Sequence, residues 1–505
     1  MQYTAFSRAT GFPYPGRSLL LTSRSLPFLP LFLVLVSLVT TAAPTAAHGD
    51  RLPELGDPSA AFLSPQEEQR LGQAFLRKLR SQANLLDDPV IQDYMEHLTY
   101  RLASHSDLRH PDMAMAVVNN REINAFAVPG GVIGINAGLF LHAHNEDEVA
   151  AVLAHEIGHI SQNHFARRYA DTRRMSRAVL AGMMASLAVA IAGQPQLGMA
   201  GLAGTQAAGI QSQLAYSRHH EREADRVGMQ ILVRADMDPH AMPRFFERLQ
   251  RAHRFAGQPP EFMLTHPVTE ERIADSRARA ERLGPPRISE SLEFSLVQAR
   301  VRAGFIREPG DAATHFRRQY EGGDSVAQQG AGYGLAVALI RKGDYDEARE
   351  ILKTLLETSP DEFRYRLALA ELEESRGDHE AAISQLRDLY EIMPGNYATS
   401  MMLARNLLAA DEHRDARRLL ERLTRERPSE PEPWRMLAES WAGEDDMARA
   451  QHARGEYLFA SGLEGQARQQ LRFALEGSRE RLALHSKIRS RLQEMERLAE
   501  DDFFR

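Results

Sequence analysis

The sequence predicts a mainly α-helical chain with one small β-sheet, a mixed domain first and an α-solenoid after it. Three observations carry this. Residues 113–136 read as short strands around the turn Pro129-Gly130-Gly131, residues 150–160 form an apolar helical stretch interrupted by two histidines, and from about residue 331 the chain repeats itself every 34 residues. With 505 residues, 43% of them hydrophobic, there is chain enough for two or more cored domains.

The first 47 residues read as a signal peptide. Arg8, Arg17 and Arg24 form a positive front, Phe28 to Val39 is apolar, and Thr40 to Ala47 is rich in small residues, with cleavage expected after Ala47. The apolar run is too short to span a bilayer comfortably, so the mature chain is expected to be exported, with an uncleaved anchor as the competing reading. Residues 48–61, polar and rich in proline and glycine, read as a linker. The chain has no cysteine, which excludes disulfides, thiolate metal ligands, a cysteine nucleophile and a lipid on cysteine. A net charge of −7, with basic residues interspersed among acids as at 417–422, argues against nucleic acid as a partner.

Residues 62–288 are expected to form one domain. Ser64-Pro65-Gln66-Glu67-Glu68 is a helix start, with serine as cap, proline in the first turn and acids after it; Leu71, Phe75, Leu76 and Leu79 continue it at helical spacing. A second helix runs from Asp88-Pro89 through Leu102. Strands are expected at Met113–Val118, Ile123–Val128 and Val132–Asn136, a small sheet whose edge can pair with an extended peptide. The apolar stretch Ala178–Gly193, within a glycine- and alanine-rich region at 178–210, is short for a membrane span. It reads as a buried or flap-like helix, with peripheral contact to a membrane or apolar partner as the competing reading.

The chemistry concentrates in Ala151-Val-Leu-Ala-His155-Glu156-Ile-Gly-His159-Ile160. Positions i and i+4 share a helix face, so His155 and His159 can reach one ion from a rigid support, and buried imidazoles without a partner would be costly. Glu156 lies about 100° around the axis from His155, beside the ion, where it can take a proton from water on the metal. Gly158 leaves room for a neighbouring element. A third ligand is needed, and Ser217-Arg-His-His-Glu221-Arg-Glu223-Ala-Asp225 offers one: Glu221 and Asp225 share a face, with Glu221 on the metal and Asp225 either orienting an imidazole or assisting proton transfer. Glu223 points away from that face, and His164, five residues after His159, is a poor third ligand. One Zn2+ per chain is the expected cofactor.

His155-Glu156-x-x-His159, the later Glu221-x-x-x-Asp225 and the upstream Asn124-Ala-Phe-Ala-Val-Pro-Gly-Gly resemble the gluzincin peptidase family that includes the CAAX prenyl proteases. The resemblance covers essentially the whole mature chain, and it is poorer to members embedded in the membrane. It implies a zincin-like metallopeptidase domain with zinc on His155, His159 and Glu221, Glu156 as general base, and Asp225 as a catalytic or proton-donating residue. It also implies a periplasmic location, peripheral to the outer membrane, and work on outer-membrane barrel precursors, as protease and chaperone, through unfolded or misassembled substrates and the outer-membrane assembly machinery. Thr265-His266-Pro267 resembles a stretch at the end of the family's peptidase domain; His266 is expected as a reversible, regulatory fourth ligand, against the simpler reading of a loop before a helix capped by Thr269.

Behind this domain, residues 289–330 are expected to hold a degenerate helical repeat and residues 331–500 tetratricopeptide repeats. Ala336, Ala370, Ala404 and Ala438 are 34 apart; Ala348, Ala382, Ala416 and Ala450 keep the same step, as do Pro360, Pro394 and Pro428. Gly343 and Gly377 mark the turn within each pair, and Asp411 replaces glycine in the third. Such an array makes a concave surface suited to holding segments of other proteins. The whole is expected to be an exported zinc-dependent endopeptidase with a chaperone-like role in the assembly and quality control of outer-membrane β-barrel proteins. The alternative is a non-catalytic scaffold or chaperone with a closed or structural zinc site.

Overall fold

The structure, a computed structural model, describes residues 64–108, 113–171, 182, 184, 185, 187–189, 191, 192, 217–256, 260–287, 290–321 and 323–500. The signal peptide and linker expected at 1–47 and 48–61 lie outside the described residues, as does most of 178–210.

Helix α1 (Pro65–Gln82) begins where the sequence placed it: the Ser64 side chain accepts from Glu67 N–H, and the Glu67 carboxylate accepts from Ser64 N–H in return. Asp88 caps α2 (Pro89–Ser104) by accepting from Val90 and Ile91 N–H. Strands β1 (Ala114–Val118), β2 (Ala125–Val128) and β3 (Val132–Asn136) form one sheet in the order β1-β3-β2. β1 runs parallel to β3 with Ala114 opposite Val132, whereas β2 and β3 are antiparallel with Val128 opposite Val132. The β2–β3 reversal needs glycine at Gly130, whose φ is +78° and where a Cβ would lie 2.5 Å from the Glu68 carbonyl oxygen.

After the short α3 (Gly138–His142) comes α4 (Glu146–Ser161), capped by Asn145 and carrying three acids in its first turn, where the helix dipole favours them. Helix α4 is buried along nearly its whole length, and α5 (His164–Asp171) follows after a break at Asn163. Helices α6 (Arg218–Arg234), α7 (Ala241–Ala256), α8 (Glu261–Thr265) and α9 (Glu270–Leu283) complete this half. Of the 178–210 stretch, Met184, Ala188 and Ile191 are buried in one apolar cluster with Leu71 and Phe75 of α1 and Phe126 and Val132 of the sheet.

Helix α10 (Leu292–Phe305) belongs to both halves. Its Phe294, Val297 and Val301 enter the core around α4, while Leu296, Ala299 and Ala303 enter the core of the first repeats with α11 (Pro309–Arg317). Five helix pairs follow: α12 (Val326–Lys342) with α13 (Tyr345–Thr358), α14 (Phe363–Ser375) with α15 (His379–Ile392), α16 (Tyr397–Ala409) with α17 (His413–Glu426), α18 (Pro431–Gly443) with α19 (Met447–Ala460), and α20 (Glu464–Gly477) with α21 (Leu482–Glu500). Ala336, Ala370, Ala404, Ala348, Ala382 and Ala416 are fully buried where paired helices cross. The turn position stays left-handed even where glycine is lost, with φ of +92° at Gly343, +81° at Gly377, +58° at Asp411 and +59° at Asp445.

The array packs against the first half along α1 and α2. Asp93 accepts from Asn396 Nδ2 at 2.9 Å and from Tyr397 N–H at 3.1 Å, and Glu96 pairs with Arg427. Half-buried Arg300 joins Asp88 at 2.6 Å to Glu371 at 2.8 Å, while Arg80 pairs with Glu430 and Arg77 with Glu464. A stretch of the array expected to face other proteins is thus covered by the chain's own α2.

Candidate metal centre

Two helices cross at glycines to build the site. A Cβ on Gly158 would meet the Ala224 carbonyl oxygen at 3.0 Å, and one on Gly228 would meet the Ala154–His155 backbone at 3.1 Å, so α4 and α6 approach closely. That approach brings Glu221, sixty-two residues beyond His159, to the histidine pair. His159 Nε2 lies 3.1 Å from His155 Nε2 and 3.4 Å from Glu221 Oε1, and His155 Nε2 lies 3.6 Å from Glu221 Oε2. His266 completes the group, its Nδ1 3.2 Å from Glu221 Oε1 and 3.4 Å from His155 Nε2. One donor atom from each of these four buried residues lies within 4.8 Å of all the others.

This donor set fits a divalent metal ion. Three imidazoles and a carboxylate are borderline donors suited to a small transition-metal ion, and they converge in a place where they would otherwise crowd each other's lone pairs. Beside them Glu156 is fully buried, and neither of its carboxylate oxygens has a hydrogen-bond partner among the described residues, although His266 Nε2 is 3.4 Å away. A carboxylate buried in that way is costly unless an ion or water completes its surroundings.

Every site residue singled out in the sequence is brought together here. Asp225 Oδ1 lies 2.9 Å from His155 Nδ1, on the side of the ring away from the donor group. His164 lies behind His159 and not among the four donors, in keeping with its poor placement as a ligand. The sheet positions His266: Asn124 Nδ2 and Asn136 Nδ2 both donate to the Glu261 carboxylate, at 3.3 Å and 3.2 Å, Ile123 carbonyl accepts from Phe262 N–H, and the Phe262 ring stacks on His266. Thr269 does cap α9, accepting from Arg272 N–H.

Sequence reading missed Arg272. It is 3% exposed and its guanidinium reaches Glu221 Oε2 at 2.7 Å, Asp225 at 2.7 Å and 2.8 Å, and the Pro267 carbonyl. Nothing in the order of residues marks it, since it stands in an ordinary charged first turn of α9; only the tertiary fold turns it inward. Burial alone would raise the Glu221 carboxyl, but His266 and Arg272 beside it hold it well below the usual carboxylate range. Against the same burial, Arg272 and His155 lower Asp225. Burial drives His159 well below the ordinary histidine range, which keeps its ring neutral and able to ligate.

A helix presenting two histidines, a carboxylate converging on them from a second helix and a buried glutamate beside them are the arrangement of a metalloprotease. The chain belongs to peptidase family M48. The model of that family matches residues 89–280, and tetratricopeptide-repeat models match 333–397 and 375–440. A relative from Vibrio cholerae is 39% identical over 430 residues, 84% of this chain and 88% of its own length. The beta-barrel assembly-enhancing protease of Yersinia pestis is 32% identical over 83% of this chain and 86% of that protein. The Escherichia coli protein of the same name is 37% identical over 62% of this chain and 64% of its own length.

Proposed function

We propose that this protein is an exported, zinc-dependent endopeptidase of the periplasm that degrades misassembled outer-membrane β-barrel precursors and assists their assembly. The observation that carries the enzymatic part is the buried Glu156 carboxylate set beside four convergent donors. His155, His159 and Glu221 would hold the zinc, which when bound supplies Lewis-acid polarisation of the scissile carbonyl and of the attacking water. Glu156 takes the proton from that water and passes it to the leaving amine, so no covalent intermediate is needed. Asp225 Oδ1 lies 2.9 Å from His155 Nδ1, and a carboxylate there favours the tautomer protonated on Nδ1, with the Nε2 lone pair facing the donor group; of the two roles left open for Asp225, this proximity favours the orienting one. His266 serves as a reversible fourth ligand, in reach of both Glu221 and the base. Substrate is bound as an extended strand along β2, an edge of the sheet.

The substrate class and location rest on the relatives' names and on the reading of residues 1–47 as a signal peptide. No helix among the described residues is long and apolar enough to cross a membrane. The peptidase part is taken as residues 62–288 and the repeat array as 331–500, with 289–330 joining them; the array provides the docking surface for the outer-membrane assembly machinery beyond the part that α2 covers. The test is Glu156→Gln, which keeps shape and removes the base. Casein cleavage and self-cleavage should vanish while bound zinc, measured by elemental analysis, stays at one per chain. Cleavage by the variant at the wild-type rate would sink the catalytic reading, and rescue of barrel assembly in cells by that inactive variant would favour a scaffold.

A further inference from the structure

We propose that His164 and Glu223 are positioning residues that fix the tautomer and orientation of His159 as a metal ligand, through a relay separate from the Asp225 contact that serves His155. The inference rests on the metal reading above. His159 turns Nε2 toward the donor group, and its other ring nitrogen, Nδ1, lies 2.9 Å from His164 Nδ1. His164 Nε2 lies 3.1 Å from Glu223 Oε2, which Arg167 Nη1 holds at 3.0 Å. His164 is fully buried, and the His220 ring stacks against it at 4.5 Å.

The direction of this relay follows from counting protons. Two facing ring nitrogens make a hydrogen bond only if one carries a proton and the other a lone pair. If His164 Nδ1 were the donor, a neutral His159 would carry its proton on Nε2, and that proton would block the lone pair needed for an ion. If His159 Nδ1–H is the donor, Nε2 is free to ligate. The carboxylate at the far end selects the second case. Glu223 only accepts, so it takes the His164 Nε2–H and leaves His164 Nδ1 as the acceptor.

The fold makes room for this arrangement at two points. Asn163, with φ of +51°, breaks the chain between α4 and α5 and lets His164 turn back under His159. Helix α6 supplies a carboxylate behind each histidine, Asp225 directly to His155 and Glu223 through His164 to His159, while Glu221 in its first turn reaches the donor group itself. The residue that helical geometry sets off the ligand face thus supports a ligand from behind.

The test is zinc affinity, read by competition with a chromophoric chelator on the full-length protein, together with the unfolding temperature of the metal-free form. His164→Phe keeps the ring stacked on His220 and removes both nitrogens. It should weaken Zn2+ binding by about 10- to 100-fold, the usual effect of removing such an outer partner, with the metal-free protein still folded. His164→Gln returns an acceptor to His159 and should recover most of the loss, and Glu223→Leu should cause a smaller loss in the same direction. Wild-type affinity in His164→Phe or Glu223→Leu, or equal losses in His164→Phe and His164→Gln, would overturn the relay while leaving the metal site standing. A wild-type protein that takes up no Zn2+ would bring down the metal reading and the relay with it.

Discussion

Arg272 grips Asp225 in fork geometry, Nε to Oδ2 at 2.8 Å and Nη2 to Oδ1 at 2.7 Å, and reaches Glu221 Oε2 with its remaining nitrogen at 2.7 Å. One buried cation therefore neutralises both the carboxylate that completes the donor group and the carboxylate behind His155. Replacing it by methionine leaves two buried carboxylates short of a partner, a loss of about 3–5 kcal/mol. Urea unfolding of metal-free Arg272→Met should show that loss. Added Zn2+ should raise the unfolding temperature of the variant more than that of wild type, because the ion substitutes for the missing charge; an equal rise in both would contradict this account.

His266 is the member of the candidate donor group that comes from outside the two crossing helices. It sits 3.2 Å from Glu221 and 3.4 Å from Glu156, and although burial would lower it, those two carboxylates raise its pKa. If it ligates as proposed, it would take a coordination position that the attacking water needs. His266→Ala should therefore cleave casein faster than wild type while binding zinc somewhat less tightly. A variant that is no more active than wild type would remove the regulatory reading.

The candidate donor group was legible in part in the sequence because helical periodicity converts spacing into geometry: His155 and His159 share a face, as do Glu221 and Asp225, and the structure keeps both relations. The repeats were legible for a similar reason, since alanine, proline and the turn residue recur in step; Asp411 and Asp445 hold the left-handed turn that Gly343 and Gly377 begin. What escaped was anything decided between distant segments. Arg272 looks like one arginine in a charged helix, and Glu223 like a solvated acid. Helix α10 has apolar residues on two faces, Phe294, Val297 and Val301 against Leu296, Ala299 and Ala303, so its pattern points to neither half. The contact of α2 with α16 was invisible because each partner's exposed-looking polar residue, Asp93 and Asn396, is satisfied only by the other.

That contact supports a further prediction. Asp93 is held at a pKa above the ordinary carboxylate by burial, against the pull of Tyr397 N–H and Asn396. Asp93→Ala would strand the Tyr397 amide and the Asn396 side chain at a covered interface, costing about 1–3 kcal/mol. The unfolding midpoint should fall accordingly, and amide exchange at Tyr397 should quicken, while Asp93→Asn, which keeps an acceptor, should lose less. Unchanged exchange at Tyr397 in the alanine variant would mean that the array does not lean on α2 at this point.

His452, on α19, gives the array a pH dependence of defined sign. It is 8% exposed, with Glu456 Oε1 at 3.7 Å and the Trp434 ring edge-on to it. Burial pushes its pKa down from 6.5 to about 4; Glu456 works against the shift, and Lys487 and Arg491 reinforce it. The folded form thus holds the neutral ring, while the unfolded chain takes up the proton as pH falls through 6.5. The stabilisation is complete above that value and is lost progressively as pH falls toward 4, which amounts to about 2 kcal/mol between pH 7 and pH 5. Carboxylates elsewhere also titrate toward the lower end, so the measurement is a difference: unfolding free energy at pH 7 and pH 5 for wild type and for His452→Gln. The variant should be less stable than wild type at pH 7 and should lose less on acidification. Parallel losses in the two proteins would mean that His452 is protonated in the fold as readily as in the open chain.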